Sequence, residues 1–143
     1  MSDQFIVGYD GTAQADRAVA FAAGRAERMG ASVHLVQVIE WSPYSFHTPE
    51  ELEQRHKRRE EELERARATV QPKVDELEKN GLKVSCEVRH GNAGDILCTI
   101  AKEAGATQIV IGRTGDSALA QRLLGGLAIT LVQIAPVPVT IVP

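Results

Sequence analysis

A helical stretch closed by glycine and followed at once by a β-rich run recurs along this 143-residue chain, and it constrains the fold more than any other feature. Met29-Gly30-Ala31 leads into Val33-His34-Leu35-Val36-Gln37-Val38, Asn80-Gly81-Leu82 into Val84-Ser85-Cys86-Glu87-Val88, and Ala104-Gly105-Ala106 into Gln108-Ile109-Val110-Ile111. Glycine readily takes the left-handed conformation that ends a helix, so each joint reads as a helix terminus feeding a strand. Strands and helices that alternate with joints this short build parallel strands linked by right-handed crossovers, with helices on both faces. The pattern predicts strands near 4–10, 32–39, 82–89, 107–112 and 137–142 and helices near 13–29, 50–79, 93–104 and 123–134. The expected fold class is α/β, an open, doubly wound, five-stranded parallel sheet forming one domain over 1–143.

Local chemistry refines this outline. In the first helix Ala15, Ala18, Val19, Ala22, Ala26 and Met29 share one face, and so many alanines imply close packing on a sheet. Thr12 suits the N-cap and Gly30 the closing position. Segment 50–79 is the most charged, with Glu51–Arg55, Glu53–Lys57 and Glu61–Arg65 at the spacing that supports a solvent-exposed helix. His56, Leu63, Val70 and Leu77 form a less polar stripe along it, read as the buried side of an amphipathic crossover helix. Pro72 predicts a break or kink. Pro138 cannot donate to a ladder, which places the last strand at a sheet edge.

The charge balance excludes some function classes. With 16 Lys and Arg against 19 Asp and Glu, the net charge of −3 offers no basic field for a nucleic-acid backbone. No run of about 18 apolar residues occurs, so membrane insertion is not expected. The start, MSDQFIVGYDG, has no basic segment leading into a long apolar stretch, and Cys86 and Cys98 lack CxxC spacing. A cytoplasmic setting is the expectation.

Ligands of open parallel sheets bind beyond the carboxyl ends of the strands, where crossovers depart in opposite directions. That rule selects Tyr9-Asp10-Gly11-Thr12, Val38-Ile39-Glu40 and Gly112-Arg113-Thr114-Gly115. The third opens Gly112-x2-Gly115-x9-Gly125, running from a strand end toward a helix start. Glycines let main-chain amides approach an anion, and a helix N-terminus favours negative charge, so the motif suits a phosphate. Read by spacing alone it is equally a turn glycine before a helix. No Walker A sequence and no GxGxxG occur.

Gly112-x2-Gly115-x9-Gly125 with Ala135-Pro136-Val137-Pro138-Val139 resembles the nucleotide-binding subgroup of the universal stress protein family. Ile6-Val7-Gly8-Tyr9-Asp10-Gly11-Thr12 resembles its first strand and turn, Val36-Gln37-Val38-Ile39 its second strand, and Gly91-Asn92-Ala93-Gly94-Asp95-Ile96 its turn into the third helix. The resemblance implies a Rossmann-like sheet in the order 3-2-1-4-5 and a stress-response module that binds ATP or AMP, with Mg2+ only alongside ATP. It implies a homodimer joined through 137–142 and an unidentified regulatory partner. The site it implies comprises Gly8, Tyr9, Asp10, Val38, Ile111, Gly112, Gly115, Gly125, Gly126, Leu127 and Ala128. By the same resemblance Asp10 contacts the ribose or adenine, the Val38 backbone reads the adenine edge, and the glycines wrap ribose and phosphates. Asp10 also suits an Asx turn.

Two positions depart from the family pattern. Gly126 stands where Ser or Thr follows the last glycine, and Ala128 where a second hydroxyl often follows. Missing hydroxyls at about 0.5–1.5 kcal/mol each weaken the phosphate site without abolishing it. The expectation is weak ATP binding or poor discrimination between ATP and AMP. A dimeric interaction module that no longer binds ATP, and a slow ATPase, are the competing readings.

Other residues carry blander readings. Trp41, Tyr44 and Phe46 lie near the expected adenine entrance, as a lid or as rings folded onto the protein itself. His47 and His56 with Glu50 or Glu51 match no zinc spacing, and no metal site is expected. His34 and His90 read as structural, Asn92 as a helix cap and Cys98 as a buried thiol. His90, Asp10 and Ser117 lack any GxSxG elbow, and no catalytic residue is assigned. Arg113 and Arg122 are the cations nearest the glycine motif.

Overall fold

The computed structural model describes residues 3–40, 48–113 and 125–143. Within them run β1 (Gln4–Gly8), α1 (Ala13–Met29), β2 (Ser32–Ile39), α2 (Pro49–Lys79), β3 (Val84–His90), α3 (Ala93–Ala104), β4 (Gln108–Gly112), α4 (Gly126–Ile134) and β5 (Val139–Val142). All strand pairs are parallel, in the order β3-β2-β1-β4-β5. The sheet grows outward from β1 in one direction through β2 and β3, then returns to the other side of β1 with β4 and β5. This reversal puts α1 and α2 on one face and α3 and α4 on the other.

Alternation along each strand divides the core. Phe5, Val7, Val33, Leu35 and Val110 pack with Ala18, Val19, Ala22, Val70 and Val74 under α1 and α2. Ile6, Val36, Ile109 and Ile111 pack with Leu97, Ile100, Ala128 and Leu131 under α3 and α4. Period-two alternation sends neighbouring residues to opposite faces, and helices on both sides make both faces apolar. The caps agree with the sequence: the Ala15 N–H donates to Thr12 Oγ1, the Asp95 N–H to Asn92 Oδ1, and Gly30, Gly81 and Gly105 have positive φ.

Several boundaries differ from expectation. β1 stops at Gly8 instead of residue 10, because Asp10 and Gly11 turn the chain toward α1. β3 begins at Val84, since Leu82 still belongs to the turn that closes α2 and its N–H donates to Leu77 O at 3.3 Å. α4 begins at Gly126 with Gly125 as N-cap, later than residue 123. β5 begins after Pro138, whose carbonyl accepts from the Ile109 N–H at 2.9 Å, so the proline introduces the edge strand without interrupting it.

The expected break at Pro72 does not occur; α2 continues for 31 residues. Pro72 and Ala68 are both exposed, so the carbonyl deprived of its helical partner opens to water. Thr48 starts α2 with a capping box shared with Glu51. Its buried residues are Ala66, Val70, Val74 and Leu77, so the half before Ala66 is held mainly by its own hydrogen bonds and charged surface. Among the described residues, no helix is long and apolar enough to cross a membrane.

Candidate functional site

The direction of the crossovers reverses between β1 and β4, and a cleft of about 280 Å³ opens at their carboxyl ends. Its walls come from the ends of β1, β2 and β4, the first turns of α1 and α3, and the N-terminus of α4. Gly8, Tyr9, Asp10, Val38, Ile111, Gly112, Gly125, Gly126, Leu127 and Ala128 all line it. The fold thus gathers ten of the eleven residues marked by the sequence; Gly115 lies outside the described residues, as do Trp41, Tyr44, Phe46, His47, Ser117 and Arg122.

Asp10 makes the Asx turn. Its Oδ1 accepts from the Thr12 N–H at 3.0 Å and from the Thr12 hydroxyl at 2.6 Å, while Thr12 Oγ1 accepts from the Ala15 N–H at 3.2 Å. This chain of bonds ties the end of β1 to the start of α1 and presents an exposed carboxylate at the rim of the cleft. Gly11 permits the turn with φ +81°, and a Cβ there would stand 2.8 Å from Thr69 Cγ2 of α2.

Tyr9 lines the edge of the cleft, and its side chain packs in the core under α1 and α2. Its N–H donates to Val36 O, and its hydroxyl donates to Asp16 Oδ1 at 2.9 Å. Burial, then Asp16, with smaller contributions from Asp10 and Glu76, pushes the phenol up to about 12. Lys73 sits 3.4 Å from Asp16 and 3.0 Å from Glu76. Burial pulls its ammonium down, but the two carboxylates outweigh this and raise its pKa. The result ties α2 to α1 directly behind the cleft.

At the other end, α4 starts with Gly125 as N-cap and no side-chain cap, so the first-turn amides of Gly126, Leu127 and Ala128 have no capping side chain. The Gly125 N–H donates to Arg113 O at 3.0 Å, and the Arg113 N–H to Val142 O at 2.9 Å, which pins the helix start against β4. Arg113 is exposed and lines the same end. Glu40 closes the opposite end, where its Oε1 accepts from the Ala93 N–H of α3 at 3.4 Å. Val36, Val38, Leu97 and Ile111 form the apolar floor between. Carboxylates at one end and helix-dipole positive charge with an arginine at the other suit a ligand with a donor-bearing head and an anionic tail.

The sequence reading missed Gln14, which lines the cleft. A glutamine in an alanine-rich helix reads as solvent-facing, yet Gln14 precedes Ala18, Ala22 and Ala26 at four-residue steps, and that row is the buried one. Gln14 is 7% exposed, and its Oε1 is sealed from solvent with no hydrogen-bond partner.

The histidines are structural in their contacts. His34 bonds Ser85 Oγ through Nδ1 at 2.6 Å and Glu87 Oε1 through Nε2 at 2.8 Å, bridging β2 and β3. Burial pushes the Glu87 carboxyl up, but His34 and Arg89 outweigh it and hold it below the usual range. His90 lies 3.5 Å from Glu62 of α2. Cys86 and Cys98 are free and half-buried, and burial raises both thiols. Among the described residues, no cluster of His, Cys, Asp and Glu could hold a metal ion.

The sequence profile of the universal stress protein family matches residues 1–143. A universal stress protein of Mycolicibacterium smegmatis is 30% identical over 142 residues; the match takes in 96% of this chain but 47% of that protein, so the chain spans about half of its length. The fold is similar to that of a universal stress protein UspA from Lactobacillus plantarum, with a TM-score of 0.86 and 22% identity over 99% of this chain and 97% of that one. It is also similar to a universal stress protein solved in complex with cAMP (TM-score 0.70, 22% identity, 99% and 96% covered). A third likeness is to one from Archaeoglobus fulgidus in complex with dAMP (TM-score 0.69, 21% identity, 99% and 98% covered).

Proposed function

The chain belongs to the universal stress protein family, and we propose that it is a regulatory or sensory module of the stress response that binds an adenine nucleotide, AMP or ATP, in this cleft. The observation that carries the reading is the meeting of Asp10, an apolar floor and the amides of Gly126, Leu127 and Ala128 around one opening. The adenine lies toward the end of β2, where the Val38 main chain meets its edge and Asp10 accepts from its amine or from the ribose. The phosphates lie at the N-terminus of α4, with Gly112, Gly115, Gly125 and Gly126 leaving the main chain accessible. Mg2+ accompanies ATP only. Neighbours of this fold in complex with cAMP and dAMP support the adenine-nucleotide class.

Gly126 and Ala128 bring no hydroxyl to the phosphate end, so phosphate affinity rests on main-chain amides and Arg113. ATP therefore gains little over AMP. The same two residues favour a second reading, an interaction module of this fold that does not use nucleotide. Under both readings a homodimer forms through residues 137–142 at the β5 edge, where exposed Ile129, Val132 and Ile134 of α4 extend the apolar surface. Nucleotide occupancy then biases the dimer toward a regulatory partner.

Mass spectrometry of nucleotide released on denaturing the purified protein, with calorimetry of AMP, ATP and adenosine, tests the proposal. Copurified adenine nucleotide, and AMP within about a hundredfold of ATP in affinity, is the expected result. Absence of both copurified nucleotide and binding heat would leave the interaction module. Steady release of phosphate from ATP would make the protein a slow ATPase instead.

A further inference from the structure

The nucleotide reading leaves one buried group unused. Gln14 sits in the first turn of α1, and that turn packs against the end of β4: a Cβ on Gly112 would lie 3.1 Å from Gln14 O and 3.2 Å from Gln14 Cβ. Gln14 is the buried polar residue among those described, it lines the cleft, and its Oε1 has no partner. A buried carboxamide without a partner forfeits its hydration, and an apolar side chain of similar shape avoids that loss. A ligand group in the cleft that pairs with the carboxamide, once the side chain turns toward the opening, recovers the loss on binding.

We infer that Gln14 is a specificity-determining contact that reads a sugar hydroxyl of the bound nucleotide, so that the site selects ribonucleotides over analogues lacking those hydroxyls. This rests on the nucleotide reading of the cleft and adds the part of the ligand that Gln14 meets. Sheet order locates it. Moving from β2 through β1 and β4 to α4, the cleft passes Val38 and Glu40, then Asp10, then Gly112 with Gln14 behind it, and finally the amides of Gly126 and Leu127. With the base at the first end and phosphate at the last, the sugar crosses the Gly112 and Gln14 position. A hydroxyl both donates and accepts, so it satisfies the carboxamide whichever end of the amide it meets.

Calorimetry of AMP and 2′,3′-dideoxyadenosine monophosphate against the full chain and Gln14→Met tests this. The wild type should bind AMP about tenfold tighter or more than the dideoxy compound. Gln14→Met should erase that preference by weakening AMP alone. Retained preference in Gln14→Met, or equal losses for the two ligands, would overturn the inference. Thermal melting of ligand-free Gln14→Met and Gln14→Leu separates a structural role: melting temperatures at or above wild type are expected, and a large fall in both variants would overturn the assignment. A wild type that binds AMP and the dideoxy compound equally rejects the Gln14 contact alone, whereas one that binds neither rejects the nucleotide reading and this contact with it.

Discussion

Gly112 at the end of β4 and Gln14 in the first turn of α1 meet main chain to main chain, since a Cβ on Gly112 would stand 3.1 Å from the Gln14 carbonyl oxygen. The obstacle is backbone, so it cannot rotate aside. Gly112→Ala should therefore push β4 and α1 apart and cost about 1–3 kcal/mol. Thermal melting should show a fall of several degrees, with loss of nucleotide binding. Gly126→Ala is the control: a methyl group there would meet nothing within 4 Å, and an unchanged melting temperature is expected. Equal behaviour of the two variants would refute the close approach at Gly112.

The open space at Gly126 also allows a gain. Gly126→Ser places a hydroxyl at the first position of α4, at the end of the cleft proposed to hold phosphate, and one added hydrogen bond is worth about 0.5–1.5 kcal/mol. ATP and AMP should bind roughly 2- to 10-fold tighter, with adenosine unaffected. A gain shared by adenosine would place the hydroxyl elsewhere in the cleft.

Tyr9 predicts an alkaline signature. Its phenol is pushed up to about 12 by burial and by Asp16, so between the ordinary value of 10.0 and about 12 the unfolded chain loses this proton while the folded chain keeps it. Stability is full below pH 10 on this account and falls as pH rises toward 12. Tyr9→Phe should be less stable at neutral pH, where it lacks the bond to Asp16, and should lose less stability across that window. Parallel pH profiles for the two proteins would contradict the Tyr9 environment.

Pro72 lies inside an uninterrupted α2 with an exposed ring. Pro72→Ala restores an N–H that can donate to Ala68 O and relieves a helix-interior cost of up to about 3 kcal/mol. Chemical denaturation should show a stabilised protein, by about 1 kcal/mol or more after the unfolded chain regains freedom. No gain would mean that α2 bends at this point in solution.

The proposed homodimer has its own test. Val132 is 58% exposed on α4, so a charge there leaves the core intact. Val132→Glu and, at the β5 edge, Val139→Glu should sediment as monomers. Dimers that persist in both variants would move the interface away from β5 and α4.

Much of the fold was legible because its determinants are local. Thr12, Asn92, Gly30 and Gly105 mark helix ends through bonds and dihedrals within a few residues, and the strands declare themselves by Val and Ile runs. The cleft was legible because a parallel sheet places its loops at one end, and the Asp10 and Gly112 turns were bound to approach each other. Gln14 was legible only in part: its four-residue steps to Ala18, Ala22 and Ala26 put it on the buried row of α1, but the contact of this first turn with Gly112 joins positions nearly a hundred residues apart in the chain. The break expected at Pro72 failed for a related reason: proline disfavours a helix locally, but α2 runs on through it, held by Val70, Val74 and Leu77 against the sheet.

By itself the sequence determined the alternation of strands and helices, the positions of the glycine turns and the family resemblance that orders the strands, because caps, periodicity and left-handed glycines act over short range. Only the tertiary structure decided that Asp10 spends one oxygen on Thr12, that α4 begins with its amides unoccupied by a capping side chain, and that a glutamine is sealed against the cleft. Those outcomes depend on which surfaces meet after the sheet closes over its helices, and burial at such contacts changes what a polar group can pair with.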